Sequence, residues 1–188
     1  GEIDAAQAMI YNEYAQMLEA LNPATGKRVT EDDLSVIDWN DEGTAMLQDA
    51  LWADGARLGD ADYADITTRF VAASLEGWMH CRDNSAECVE IVLNNGSSLG
   101  ASHQAWQMNE INGLIWPSPD GAGVMDEGLW AQTIDVATSQ GILASAPDSG
   151  AYTTEYAEAA VELLKNRGVD TTGKNWRRVD ATLNLGGE

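Results

Sequence analysis

Tyr11, Asn12, Glu13 and Tyr14 place two phenol rings, an amide and a carboxylate at consecutive positions. An aromatic face stacks on a flat ring, while an amide and a carboxylate choose among its hydrogen-bonding edges. The cluster is therefore suited to gripping a small planar polar ligand. The same residues also suit the start of an amphipathic helix, with the tyrosines packed and Glu13 solvated.

Other chemistry-bearing strings are weaker. Gly96-Ser97-Ser98-Leu99-Gly100 matches the Gly-x-Ser-x-Gly pattern, which needs its serine on a sharp strand-to-helix turn. Here a helix is expected before it, so a capping role fits better. Asn95-Gly96-Ser97 fits a glycosylation sequon. Cys81, Cys88 and His80 do not supply the four ligands of a structural zinc site, and no metal site is expected. The cysteines flank a turn at Asp83-Asn84, where a helical hairpin can bring them within disulfide reach; two buried free thiols are the alternative. Gly121-Ala122-Gly123 lacks the third glycine of a dinucleotide fingerprint. His103 is expected on a helix surface. No catalytic constellation emerges, and no cofactor is expected.

The chain has 188 residues, enough for a buried core, and 44% of them are hydrophobic, which excludes general disorder. Seven Trp and five Tyr stand against one Phe. Such amphipathic aromatics serve where one end is buried and the other meets water or ligand, although most of the tryptophans are expected in a helical core. Thirty-one acidic residues against 10 basic give a formal charge of −21. That surface repels phosphate backbones and anionic lipid, which disfavours nucleic-acid and membrane-surface binding. No apolar run reaches the roughly 20 residues that span a bilayer.

These residues must be positioned by a mixture of strands and helices. Strands are expected at 2–10, 34–37 and 181–185, and a helix at 11–20. Ile66, Phe70, Val71, Ser74, Leu75 and Trp78 follow the spacing of a buried stripe, which predicts a helix over 62–82. Asn84 with Glu87 forms a capping-box pattern for a helix to about Asn94, and Gly96 suits a left-handed cap. Ser97 or Ser98 then starts a helix that buries Met108, Ile111 and Ile115 and stops at Pro117. Further helices are expected from Asp126 to Ser139 and from Thr154 to Arg167, the last closed by Gly168.

Several strings together resemble one family. They are Gly1-Glu2-Ile3-Asp4-Ala5-Ala6-Gln7, Tyr11-Asn12-Glu13, Asn40-Asp41-Glu42-Gly43-Thr44-Ala45-Met46-Leu47, Phe70-Val71-Ala72-Ala73-Ser74-Leu75-Glu76-Gly77-Trp78 and Leu183-Asn184-Leu185-Gly186-Gly187. Their order and spacing resemble the C-terminal part of periplasmic solute-binding proteins of ABC importers, in the nitrate/sulfonate/thiamine-pyrimidine-precursor group. Arg69 to Val89 carries the most family-specific element.

The resemblance implies an α/β, type II periplasmic-binding-protein-like fold, helix-rich with few strands. Residues 1–38 would close the second lobe and the hinge crossover, and 39–188 would form the C-terminal helical part of the first lobe. The N-terminal lobe portion, roughly 140 residues on ordinary lobe sizes, would be missing. It further implies that Tyr11, Asn12, Glu13 and Tyr14 face a ligand cleft, with Trp39 and Asn40 as second candidates. The function implied is capture of a small heteroaromatic nutrient, a thiamine pyrimidine precursor or flavin-like ring, by lobe closure. The partner would be a membrane permease, and the setting periplasmic or extracellular, with or without a lipid anchor, where a Cys81–Cys88 disulfide is favoured. A pyrimidine-synthase enzyme of the same fold is one rival. It needs a reactive histidine and a cofactor lysine from among His80, His103, Lys27, Lys165 and Lys174. A helical interaction module whose tryptophans mark a protein interface is the other rival.

Overall fold

The computed structural model describes residues 3–96 and 98–188. Glu2, at the start of the first expected strand, and Ser97, within both the Gly-x-Ser-x-Gly string and the sequon, lie outside them. Among the described residues, six α-helices carry the fold: α1 (Glu13–Leu18), α2 (Ala61–Asp83), α3 (Ser85–Asn95), α4 (Ala101–Ile115), α5 (Glu127–Ser139) and α6 (Glu155–Asn166). Short 3-10 turns cover Glu31–Asp33 and Leu185–Gly187. Pairing of β type is limited, among the described residues, to an isolated antiparallel bridge between Leu21 and Arg28.

The all-helical architecture overturns the expected α/β, type II periplasmic-binding-like fold. Among the described residues, none of the three strand candidates joins a sheet. Extended backbone needs a neighbour to take its N–H and C=O groups, and apolar side chains need a face to bury against. At 34–37 only Leu34 packs on the core cluster, while Val36 and Ile37 are 62% and 66% exposed. Residues 3–10 include three alanines, and none of the eight is buried. Leu183 does bury, but as a plug among Ala15, Leu18 and Val29 rather than as a strand residue.

The chain divides into two units. Unit 1 comprises Gly1–Ser35, Gly77–Ser118 and Thr172–Glu188, and unit 2 comprises Val36–Glu76 and Pro119–Thr171. Helix α2 contributes its first part to unit 2 and its end to unit 1. In unit 1, α4 packs on α3, on α1 and on the 3-10 turn at Leu185–Gly187. Cys81 and Cys88 form the disulfide that the turn between α2 and α3 allows.

Unit 2 buries Val71, Ala72 and Leu75 of α2, Ala137 of α5, and Ala160, Val161 and Leu164 of α6. The buried stripe of α2 is thus displaced from the expected one, and Phe70 is 61% exposed. Asp126 caps α5 by accepting the Leu129 N–H at 2.9 Å. Gly121, at φ +112, passes where a Cβ would stand 2.8 Å from the Val161 methyls, so only glycine fits there. Arg167 holds both carboxylate oxygens of Glu76, at 2.8 and 2.6 Å.

Local capping also differs from expectation. Asn84 makes no side-chain cap for α3; its amide donates to the His80 carbonyl at 3.1 Å. Gly96 has φ −125, not a left-handed value, and α4 starts after Gly100.

Candidate functional site

Helix α4 lies on unit 1 with an unusual inner face. Met108, Ile111 and Ile115, expected to be buried, are only half-buried, while Ser102, His103, Gln104, Asn109, Glu110 and Asn112 are buried. Buried polar groups need partners, and several of these find theirs in the extended C-terminal segment. Ser102 Oγ accepts the Asn184 N–H at 3.0 Å, and Asn109 Oδ1 accepts the Val179 N–H at 3.0 Å. Arg178 reaches the Glu110 carboxylate at 2.7 Å. Burial pushes the Glu110 carboxyl above its ordinary range, and the Arg178 charge and hydrogen bond partly offset that rise. Asn112 Oδ1 accepts the Trp116 indole N–H at 3.0 Å. Side chains of α4 thereby take backbone donors that a neighbouring strand would have taken in a sheet.

The expectation that His103 sits on a helix surface is wrong: it is 8% exposed. Its Nδ1 stands 2.7 Å from Glu19 Oε1, and its Nε2 stands 3.1 Å from Asn12 Oδ1. Both ring nitrogens are therefore engaged inside the protein. Gly187 lies over the pair, where an added Cβ would stand 3.0 Å from Glu19 Oε2 and 3.1 Å from His103 Cβ. The Gly186 N–H also donates to the Glu19 carbonyl at 3.0 Å. This cluster pins α1, α4 and the chain end together.

Beside that pin, unit 1 carries an open recess of 370 Å³. Its floor is apolar, formed by Leu18, Val29 and Leu183 of the buried cluster. The Trp106 indole forms a wall and is oriented by donating its N–H to the Ile10 carbonyl at 2.9 Å. The rim is polar, with Arg28, Thr30 and Glu31. Arg28 donates to the Leu183 carbonyl, which ties the two extended segments that flank the recess. Thr30 is fixed because its N–H and its hydroxyl both donate to Asp33 Oδ2, each at 2.9 Å. Those bonds, the backbone one foremost, hold the Asp33 carboxyl below its ordinary range.

An indole wall, an apolar floor, one guanidinium and one carboxylate offer stacking together with donor and acceptor edges. The volume lies at the small end of the range for small-molecule sites, about 300 to 1,000 Å³.

The residues singled out from sequence take varied places. Asn12 is the N-cap residue of α1 and contacts His103. Glu13 Oε2 accepts the Met9 N–H at 2.9 Å, and backbone bonds hold its carboxyl below the ordinary range. Tyr14 packs on the cluster that floors the recess. Burial, and then the negative charge of Glu31, pushes its phenol above the ordinary value. Tyr11 is half-buried. Trp39 and Asn40 belong to unit 2, in a turn where the Thr44 N–H donates to the Trp39 carbonyl at 2.8 Å. His80 is exposed, its Nε2 3.4 Å from Glu87. Lys27, Lys165 and Lys174 are exposed.

Trp106, Arg28 and Glu31 were not singled out from the sequence. Trp106 carried the one available signal, as an aromatic on a helix face otherwise lined by Ser102, Asn109 and Asn112.

Among the described residues, no group of three or more His, Cys, Asp or Glu side chains stands close enough to hold a metal ion. No helix among them is long and apolar enough to cross a membrane. Comparison with protein-family models, with curated proteins and with solved structures gave no significant match.

Proposed function

We propose that the chain captures a small planar polar solute in the unit 1 recess, without chemical change, as the receptor that feeds a membrane permease. The observation that carries the capture reading is that Trp106, the apolar Leu18, Val29 and Leu183, and the charged Arg28 and Glu31 line one recess. An indole face gives stacking energy to a flat ring, and the charged rim discriminates among its polar edges. The permease rests on the resemblance of the sequence strings to importer receptors. Closure of two α/β lobes is no part of the proposal, because the described residues form no sheet.

A heterocycle with amino and carbonyl edges satisfies both Glu31 and Arg28, whereas nitrate or a simple sulfonate would leave Glu31 facing an anion. Calorimetric titration with aminopyrimidines and flavin-like rings tests the reading. Binding that weakens about tenfold or more in Trp106→Leu supports it, since one stacked ring contributes about 1 to 2 kcal/mol. Binding unaffected by that change would place the ligand elsewhere.

A further inference from the structure

In unit 2, residues 36–56 form an arm without helix that precedes α2. It is tied to α5 where the Leu47 N–H donates to Thr133 Oγ1 at 2.9 Å and Gln132 Nε2 donates to the Ala45 carbonyl at 2.6 Å. Away from those ties the arm is strongly apolar and unburied. Val36, Ile37, Trp39, Leu51 and Trp52 each expose more than half of their surface, and Trp52 reaches 90%. A single exposed leucine needs no explanation, but bulky aliphatic and indole groups concentrated in one short segment mark an interaction surface.

The charge around them is one-sided. The arm holds Asp38, Asp41, Glu42, Asp49 and Asp54 and no basic residue. Arg57, the next base along the chain, lies over the Tyr63 ring, 4.1 Å from its centroid. An acidic rim repels a second copy of a chain whose formal charge is −21, and it repels anionic lipid and nucleic acid equally. Apolar anchors with acidic surrounds complement a partner of the opposite kind.

We propose that the 36–56 arm is a docking site for a protein partner that presents an amphipathic helix with basic flanks. Trp52 and Trp39 are the anchors, and Asp41 and Asp49 steer the basic groups. Tryptophans dominate binding energy in such contacts, while exposed charges act mainly on association rate and its salt dependence.

A synthetic amphipathic helix of leucine and lysine, about five turns long, serves as the probe. It is titrated calorimetrically into the full 188-residue chain, beside a leucine–glutamate counterpart. The lysine peptide should bind and the glutamate peptide should not. Trp52→Ser, which removes a solvent-exposed group, should weaken binding about tenfold or more. Asp41→Lys with Asp49→Lys should weaken it several-fold more than Asp4→Lys with Glu90→Lys, which changes net charge equally outside the arm. Equal binding by Trp52→Ser, or equal effects of the two charge pairs, would show attraction to overall charge alone and overturn the proposal. Sedimentation in which the wild-type chain is a dimer and Trp52→Ser a monomer would overturn it as well, by assigning the arm to a second copy. Absence of any binding by the lysine peptide would also contradict it.

Discussion

The Nδ1 atom of His103 stands 2.7 Å from the Glu19 carboxylate, and through that contact α4 is held to the end of α1. Asn12 closes the other side of the ring, and Gly187 covers the pair. Leu18 and Trp106, which line the recess, are close neighbours of Glu19 and His103 in the chain. The pin thus fixes the spacing of floor and wall. Removing one partner leaves the other buried without its counterpart, so His103→Ala should cost about 3 kcal/mol of folding stability. Chemical denaturation measures this directly, and a loss below about 0.5 kcal/mol would show the contact to be incidental.

Glu110 gives a pH signature. Its folded-state pKa is raised, by burial first, with Arg178 opposing. Its contribution to stability is therefore full below the unfolded value, 4.5, and is lost as pH rises through the folded pKa. Glu110→Gln cannot ionise and should gain on the wild type as pH climbs from about 4 to 7. Denaturant melts across that range check the slope, and a difference independent of pH would contradict the assignment.

The close approach of Gly100 to Gly187 gives a steric prediction. A Cβ on Gly100 would stand 2.1 Å from the Gly187 carbonyl oxygen. Backbone cannot yield as a flexible side chain can, so Gly100→Ala should cost about 1 to 3 kcal/mol, and alanine is also a poorer N-cap for α4 than glycine. Thermal unfolding is the measurement, and an unchanged melting temperature would argue against the packing of the chain end on α4.

The Cys81–Cys88 disulfide closes a short loop between α2 and α3. On the chain-entropy model such a loop contributes about 2 to 3 kcal/mol. Replacing both cysteines by serine should lower stability by that amount, and intact mass of the never-reduced protein should show no free thiol.

What was legible in the sequence was local. Apolar spacing marked α2, although only Val71 and Leu75 of its stripe are buried, Asp126 and Gly168 marked helix ends, and the cysteine spacing allowed the bridge. The strand expectations failed because strand formation depends on a partner. Residues 34–37 and 181–185 have strand-like composition, yet the first is exposed apart from Leu34, and in the second the Asn184 N–H goes to the Ser102 side chain of α4. The polar inner face of α4 misled in the same way. His103 between Ser102 and Gln104 reads as a solvated surface, since nothing local reveals Glu19 waiting across the fold. A spacing was nonetheless present: Ser102 with Asn109, and His103 with Glu110, are each seven apart and share a face. The recess is assembled from four separated segments, around Leu18, Arg28 to Glu31, Trp106 and Ala181 to Leu183, so no single motif could have shown it.

Solute capture beside Trp106 is the central claim, and the indole N–H resonances of the tryptophans test it most directly. Each tryptophan gives its own signal, and Trp106→Leu identifies which one belongs to the recess. On titration with an aminopyrimidine or flavin-like ring, the Trp106 signal should shift in a saturable way, while the exposed Trp52 signal of the other unit stays in place. A ring that binds while leaving the Trp106 signal unmoved, or a panel of such rings that moves no indole signal at all, would contradict the account.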